Sequence, residues 1–155
     1  MKKVIKDTYG NSGGMYQLGI ETKKVISESR SQIARLLGTT SDNIVFTRGG
    51  TESNNIAILG AVSHFKKVYP EIIPHIITGV IEHDSVLEIC KHLELTKQAT
   101  VSYIPCDADG IIDVTELKKE LRPETILVTV MYANNEIGTI QPIREIAKLI
   151  RWYKK

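Results

Sequence analysis

The feature that most narrows the folds open to this chain is the repeated switch of its apolar spacing between about 2 and about 3.6 residues. Ile26, Ile33 and Leu37 share a helical face over residues 20–37, and Gly38 stands where a helix would end. Asn43 to Thr47 (NIVFT) reads as a short buried strand, broken by Gly49-Gly50. Helical spacing then resumes over 51–68 through Asn55, Ile58, Leu59, Val62 and Phe65. A strand over 75–81 leads to a helix over 85–95, with Val86, Ile89, Cys90 and Leu93 on one stripe. A third strand is expected over 101–105, and Asp113 with Glu116 three positions on marks the start of a helix running to Leu121. The run TILVTVMY over 125–132 is the strongest strand signal, and Pro142 opens a last helix with Ile143, Ile146, Ala147 and Ile150 inward.

Strand and helix thus alternate four times. A helix between two strands returns the chain to the same edge, so the pattern predicts an α/β fold: a mainly parallel sheet with helices on both faces. No repeat, low-complexity tract or linker interrupts it, and the reading is of one compact unit.

Other classes fall away on charge and hydropathy. The 20 basic and 18 acidic residues are scattered along the sequence, leaving no cationic track for nucleic acid. The tail Arg151, Lys154 and Lys155 reads as a complement to a helix dipole. No apolar run reaches the roughly 20 residues of a membrane span, and Met1–Asp7 lacks the apolar stretch of a secretory signal. A cytoplasmic location without membrane association is the expectation. Cys90 and Cys106 show neither a CxxC pair nor zinc-ligand spacing, so no metal site is expected and structural thiols are the reading.

In an open parallel sheet ligands bind beyond the carboxyl ends of the strands, which singles out three loops. Arg48-Gly49-Gly50-Thr51-Glu52-Ser53-Asn54-Asn55 sets two glycines and a hydroxyl at a helix start, a phosphate site in outline but neither a Walker loop nor GxGxxG. The alternative is that Thr51 only caps its helix. Glu82-His83-Asp84-Ser85 offers a histidine that is either solvated or packed on a flat ligand. Ala133-Asn134-Asn135-Glu136-Ile137-Gly138 places two amides and a carboxylate after the most apolar strand. There the amides either hold the turn or face a ligand, and Glu136 is either a helper charge or a turn stabiliser.

Together these loops resemble the cysteine desulfurase and selenocysteine lyase group of the class V aminotransferase superfamily, which has the fold type I pyridoxal-phosphate architecture. Gly10-Asn11, Gly19, Ser29-Arg30, FT-x-GGTESNN (46–55), Glu82-His83, Gly110-Ile111-Ile112-Asp113 and NNEIG (134–138) carry the likeness over nearly the whole chain. The resemblance implies that residues 1–155 are part of an incomplete large, pyridoxal-phosphate-binding domain, with a loop-rich arm over 1–18. It implies pyridoxal 5'-phosphate as cofactor, held by Gly50 and Thr51 at the phosphate, His83 stacked on the ring and Asn135 near the ring hydroxyl. His83 would also assist proton transfers. The implied reaction converts L-cysteine to L-alanine with persulfide transfer for iron–sulfur cluster or thio-cofactor synthesis, with L-selenocysteine as the alternative substrate. A homodimer and a sulfur-acceptor or scaffold protein are the implied partners.

Departures temper the match. Arg48 stands where the family has a small residue, and Ser12-Gly13-Gly14 replaces Pro-Ser-Ser. The family's cofactor-anchoring lysine and nucleophilic cysteine have no counterpart in these residues, and neither Cys90 nor Cys106 matches by position. The expectation is therefore a desulfurase fragment inactive alone, against the alternatives of another class V fragment or a non-catalytic binding module of the same fold.

Overall fold

A computed structural model describes residues 6–154, so the opening Met1–Ile5 and Lys155 of the basic tail lie outside the described residues. The chain divides into two compact units, 1–46 and 47–155, at a boundary that no linker-like composition marks.

The first unit is built on helix α1 (Gln17–Leu36). Its apolar stripe is not a buried face: Ile33 and Leu37 are 37% and 68% exposed, and the buried positions are the small Gly19 and Ala34. Small residues serve here because the preceding loop crosses the helix closely. A Cβ on Gly19 would stand 2.6 Å from the carbonyl oxygens of Asn11 and Gly14. The Ser12-Gly13-Gly14 segment is a turn in which Asn11 accepts from Gly14 N at its carbonyl (2.9 Å) and from Gly13 N at Oδ1 (2.9 Å). At the far end Gly38 takes φ 66°. Its N–H donates to Arg35 O, and Thr39 N–H donates to Ala34 O, the paired bonds of a Schellman stop.

The predicted strand over 43–47 is absent. Ser41–Asn43 forms a 3-10 turn, and Ile44 is extended (φ −104°, ψ 120°) without a ladder partner among the described residues. An apolar run becomes a strand only where a neighbour takes its backbone groups. Val45 and Phe46 accordingly remain exposed, with Arg30 lying over the Phe46 ring at 4.9 Å.

The second unit contains helix α2 (Gly50–Val68), strand β1 (His75–Gly79), helix α3 (Asp84–Leu95), strand β2 (Thr100–Ile104), helix α4 (Val114–Glu120), strand β3 (Thr125–Thr129) and helix α5 (Ile143–Tyr153). The three strands form a parallel sheet in the order β2-β1-β3. Successive side chains of a strand point to opposite faces, so neighbours Ile76 and Ile77 feed separate cores. Ile76 packs with Ile58 and Val62 of α2 and with Val86, Cys90 and Leu93 of α3. Ile77 packs with Ile104, Ile112, Leu117 of α4 and Ile146 of α5. Helices thus cover both faces, as the alternation predicted. No helix among the described residues is long and apolar enough to cross a membrane.

Local signals explain the element ends. Asp113 caps α4, its Oδ1 accepting from Thr115 N (2.8 Å) and Glu116 N (3.1 Å). β3 stops at Thr129, short of the expected Tyr132, because Met131 N–H is donated to the Glu82 carboxylate rather than to a strand. α3 ends in a second Schellman stop, Gln98 N to Leu93 O and Lys97 N to Glu94 O, but with Lys97 at φ 55°. A left-handed non-glycine residue costs about 1–2 kcal/mol. Lys97→Gly is therefore expected to raise stability by about 1 kcal/mol, less the extra entropy of the unfolded glycine. A guanidinium melt in which Lys97→Gly lowers the midpoint would contradict this.

Candidate functional site

The sheet order sets the place of the site. From β1 the chain crosses through α3 to β2 on one side, then returns through α4 to β3 on the other. The strand order reverses at β1, and the crevice between the carboxyl ends of β1 and β3 is where such sheets take ligands. A cavity of about 360 Å³ lies there, bounded by residues 80–84 after β1 and by Met131 and 134–137 after β3.

Two sequence-predicted residues, His83 and Asn135, line this one cavity. Glu82, noted in the sequence only as a flank of His83, does more: it is 9% exposed and accepts the Met131 N–H, tying the two walls together. Burial pushes its carboxyl above the ordinary range, and the Met131 N–H pulls the other way. A second tie runs from Asn134 Nδ2 to Ile81 O at 3.1 Å. A carboxylate at the end of a strand buried on both faces was the available signal for Glu82.

The paired amides differ in their surroundings. Asn134 is buried and structural, its Oδ1 accepting from Glu136 N (2.8 Å) and Ile137 N (3.0 Å). Asn135 is exposed, and its carboxamide makes no hydrogen bond among the described residues. The turn is held by Asn134 rather than by the Glu136 side chain. Behind it, buried Gln141 accepts from Ile112 N (2.9 Å) and donates to Gly110 O (2.7 Å), fastening the segment to the turn that follows β2.

Gly50 and Thr51 form the first turn of α2 and are not part of the cavity lining. The N-cap is Gly49, so the Thr51 hydroxyl does not cap the helix. The first helical N–H to find a partner is that of Ser53, on Gly49 O (3.1 Å), leaving those of Gly50, Thr51 and Glu52 unspent among the described residues. The backbone N–H of Arg48 closes the loop by donating to Glu52 Oε2 at 2.6 Å, a bond that does not use the side chain departing from the family pattern. A Cβ on Gly50 would meet nothing within 4 Å, so the backbone is open to close approach. The turn is joined to the His83 loop by Asn54 Nδ2 donating to Ser85 Oγ at 2.8 Å. Unspent N–H groups and a hydroxyl at a helix start suit a phosphate. An imidazole and a free carboxamide suit a polar aromatic ring, so this donor set fits pyridoxal phosphate.

Cys90 is fully buried, and burial first, then the charges of Glu82 and Glu94, push its thiol up to about 11. It is no nucleophile at neutral pH.

Residues 1–155 match the family model of class V aminotransferases. A cysteine desulfurase IscS of Dictyoglomus turgidum is 46% identical over 99% of this chain and 38% of its own length. A selenocysteine lyase of Bos taurus is 34% identical over 97% of the chain, again 38% of its own length. The solved structure of SspA in complex with cysteine superposes with a TM-score of 0.86 at 35% identity, covering 99% of this chain and 43% of that one. The chain thus spans well under half the length of the proteins it resembles.

Proposed function

Because the chain belongs to the class V aminotransferase family, we propose that its two units are part of the pyridoxal-phosphate-binding domain of a cysteine desulfurase, residues 1–18 being an N-terminal arm. The observation that carries this reading is the convergence of His83 and Asn135 on one cavity at the sheet's switch point, with the unspent N–H groups of α2 joined to it through Asn54 and Ser85.

In this reading Gly50 and Thr51 bind the phosphate through N–H and hydroxyl. His83 lies against the ring face, and Asn135 donates to the ring hydroxyl. Glu82 holds the walls of the crevice at a fixed spacing. Bound pyridoxal phosphate supplies an electron sink for cleavage at the substrate's sulfur-bearing carbon. The substrate is L-cysteine, the product L-alanine, and the sulfur passes as persulfide to an acceptor or scaffold protein serving iron–sulfur cluster assembly. The enzyme works as a cytoplasmic homodimer. The family's anchoring lysine and nucleophilic cysteine match no residue here, so these 155 residues bind the cofactor without a covalent bond and do not turn over. The 34% identity to a selenocysteine lyase favours L-selenocysteine as the second reading of the substrate.

Calorimetric titration of the chain with pyridoxal phosphate tests the proposal. Saturable binding is expected, weakened roughly tenfold by Thr51→Val, as loss of one hydrogen bond to a charged group implies. No new visible absorption band from an aldimine should develop beyond that of free pyridoxal phosphate. Binding indifferent to both Thr51→Val and His83→Ala would remove the proposed site, and a stable visible band with sulfide released from L-cysteine would refute the claim of inactivity.

A further inference from the structure

We propose that Asn54 and Ser85 are positioning residues that lock His83 in the tautomer carrying its proton on Nε2. The geometry forms a directed chain. Ser85 N–H donates to His83 Nδ1 at 3.0 Å. A backbone amide is a donor only, so Nδ1 must offer a lone pair. Ser85 Oγ lies 2.9 Å from the same nitrogen, and Asn54 Nδ2 donates to that Oγ at 2.8 Å. With Asn54 donating into the hydroxyl, the hydroxyl proton is free to turn toward Nδ1. Both contacts on Nδ1 are then donors, and the ring proton is confined to Nε2, which makes no hydrogen bond among the described residues. His83 is the N-cap of α3, so its ring is held at the helix start, and the residue lines the cavity.

The meaning for catalysis rests on the cofactor-site reading above: the imidazole meets its ligand as a neutral hydrogen-bond donor, and Nδ1 is not the atom that takes a substrate proton. The lock itself does not depend on that reading, and it couples the α2 turn to the histidine at the start of the next helix, α3.

The test is carried out on the chain without pyridoxal phosphate, so it stands apart from the cofactor titration. Long-range proton–nitrogen correlation spectra of 15N-histidine-labelled protein distinguish the lone-pair nitrogen from the N–H nitrogen of each ring. His83→Gln identifies the His83 signals among the four histidines. At a pH of about 8.5, above the ordinary imidazole range, the Nε2–H form of His83 should exceed the other by roughly tenfold or more, the weight of one hydrogen bond. Asn54→Asp turns the donor into an acceptor: Ser85 Oγ–H then points at residue 54 and its lone pair faces Nδ1. The excess should fall several-fold. Ser85→Ala, which removes the hydroxyl and leaves the backbone N–H as the one donor on Nδ1, serves the same comparison if the aspartate variant does not fold. A wild-type spectrum with Nδ1–H dominant overturns the proposal. So does a tautomer ratio unmoved in whichever of the two variants keeps the backbone amide spectrum of the wild type.

Discussion

Lowering the pH from 6.5 to 4 is expected to remove on the order of 3 kcal/mol of stability from the unit formed by residues 47–155, through His75 alone. This residue is fully buried at the amino end of β1 and bridges both neighbouring strands. Its Nδ1 lies 2.8 Å from Thr125 Oγ1 on β3 and its Nε2 lies 2.9 Å from Ser102 Oγ on β2. Ser102 spends its own proton on Glu120, so Nε2 must donate and Nδ1 must accept. Thr125 Oγ1, which accepts from Arg122 N at 3.0 Å, supplies the proton to Nδ1. A second ring proton on Nδ1 would require the Thr125 hydroxyl to give up this donation and turn its proton away. Burial first, then the Arg122 charge, lowers His75 to about 4 against Glu120 and Glu124, which raise it.

The direction follows from proton counts. Between the ordinary imidazole value of 6.5 and about 4 the unfolded chain binds a proton that the folded chain refuses. Stability is therefore whole above 6.5, declines as pH falls through that window and levels below 4. Glu82 acts with the opposite sign, since its raised carboxyl makes the folded state the better proton binder as pH falls. Urea melts across the window provide the measurement. His75→Leu should be less stable at pH 7 yet flatter from 6.5 to 4, and a slope unchanged by the substitution would assign the acid response elsewhere.

Ile76→Ala and Ile77→Ala should each cost about 2–5 kcal/mol, a large part of the 5–15 kcal/mol typical of a domain. Both side chains are fully buried, each in its own cluster of buried residues. Because the two face opposite layers, their effects should add despite adjacency in sequence. The milder pair Ile76→Val and Ile77→Val keeps the double variant folded for that comparison, and a double-variant cost differing from the sum by more than about 0.5 kcal/mol would show the layers to be coupled.

Much of this architecture was legible in the residues. The α3 stripe of Val86, Cys90 and Leu93, the Asp113 cap and the Gly38 stop are local signals, and each has the physical outcome its chemistry predicts. The run over 43–47 misled because short apolar segments look alike whether or not a neighbouring strand exists. The α1 stripe misled for a related reason, since spacing shows that residues share a face but not what covers it. At the site, the loops bearing His83 and Asn135 could be named from strand ends. Their ties could not: Glu82 to Met131 and Ser85 to Asn54 join residues far apart in the chain, as do the bonds of His75 at the opposite end of the sheet, and each depends on side chains that meet only in the folded state.

The Gln141 carboxamide makes a separate tie that reaches beyond its own loop. Since it grips backbone at both Gly110 and Ile112, the turn at 107–110 and the segment bearing Asn135 behave as one mechanical piece. An inserted or deleted residue in that outlying turn would be transmitted to the tip of the Asn135 loop, so the length of an apparently peripheral connection is under the same constraint as the crevice itself.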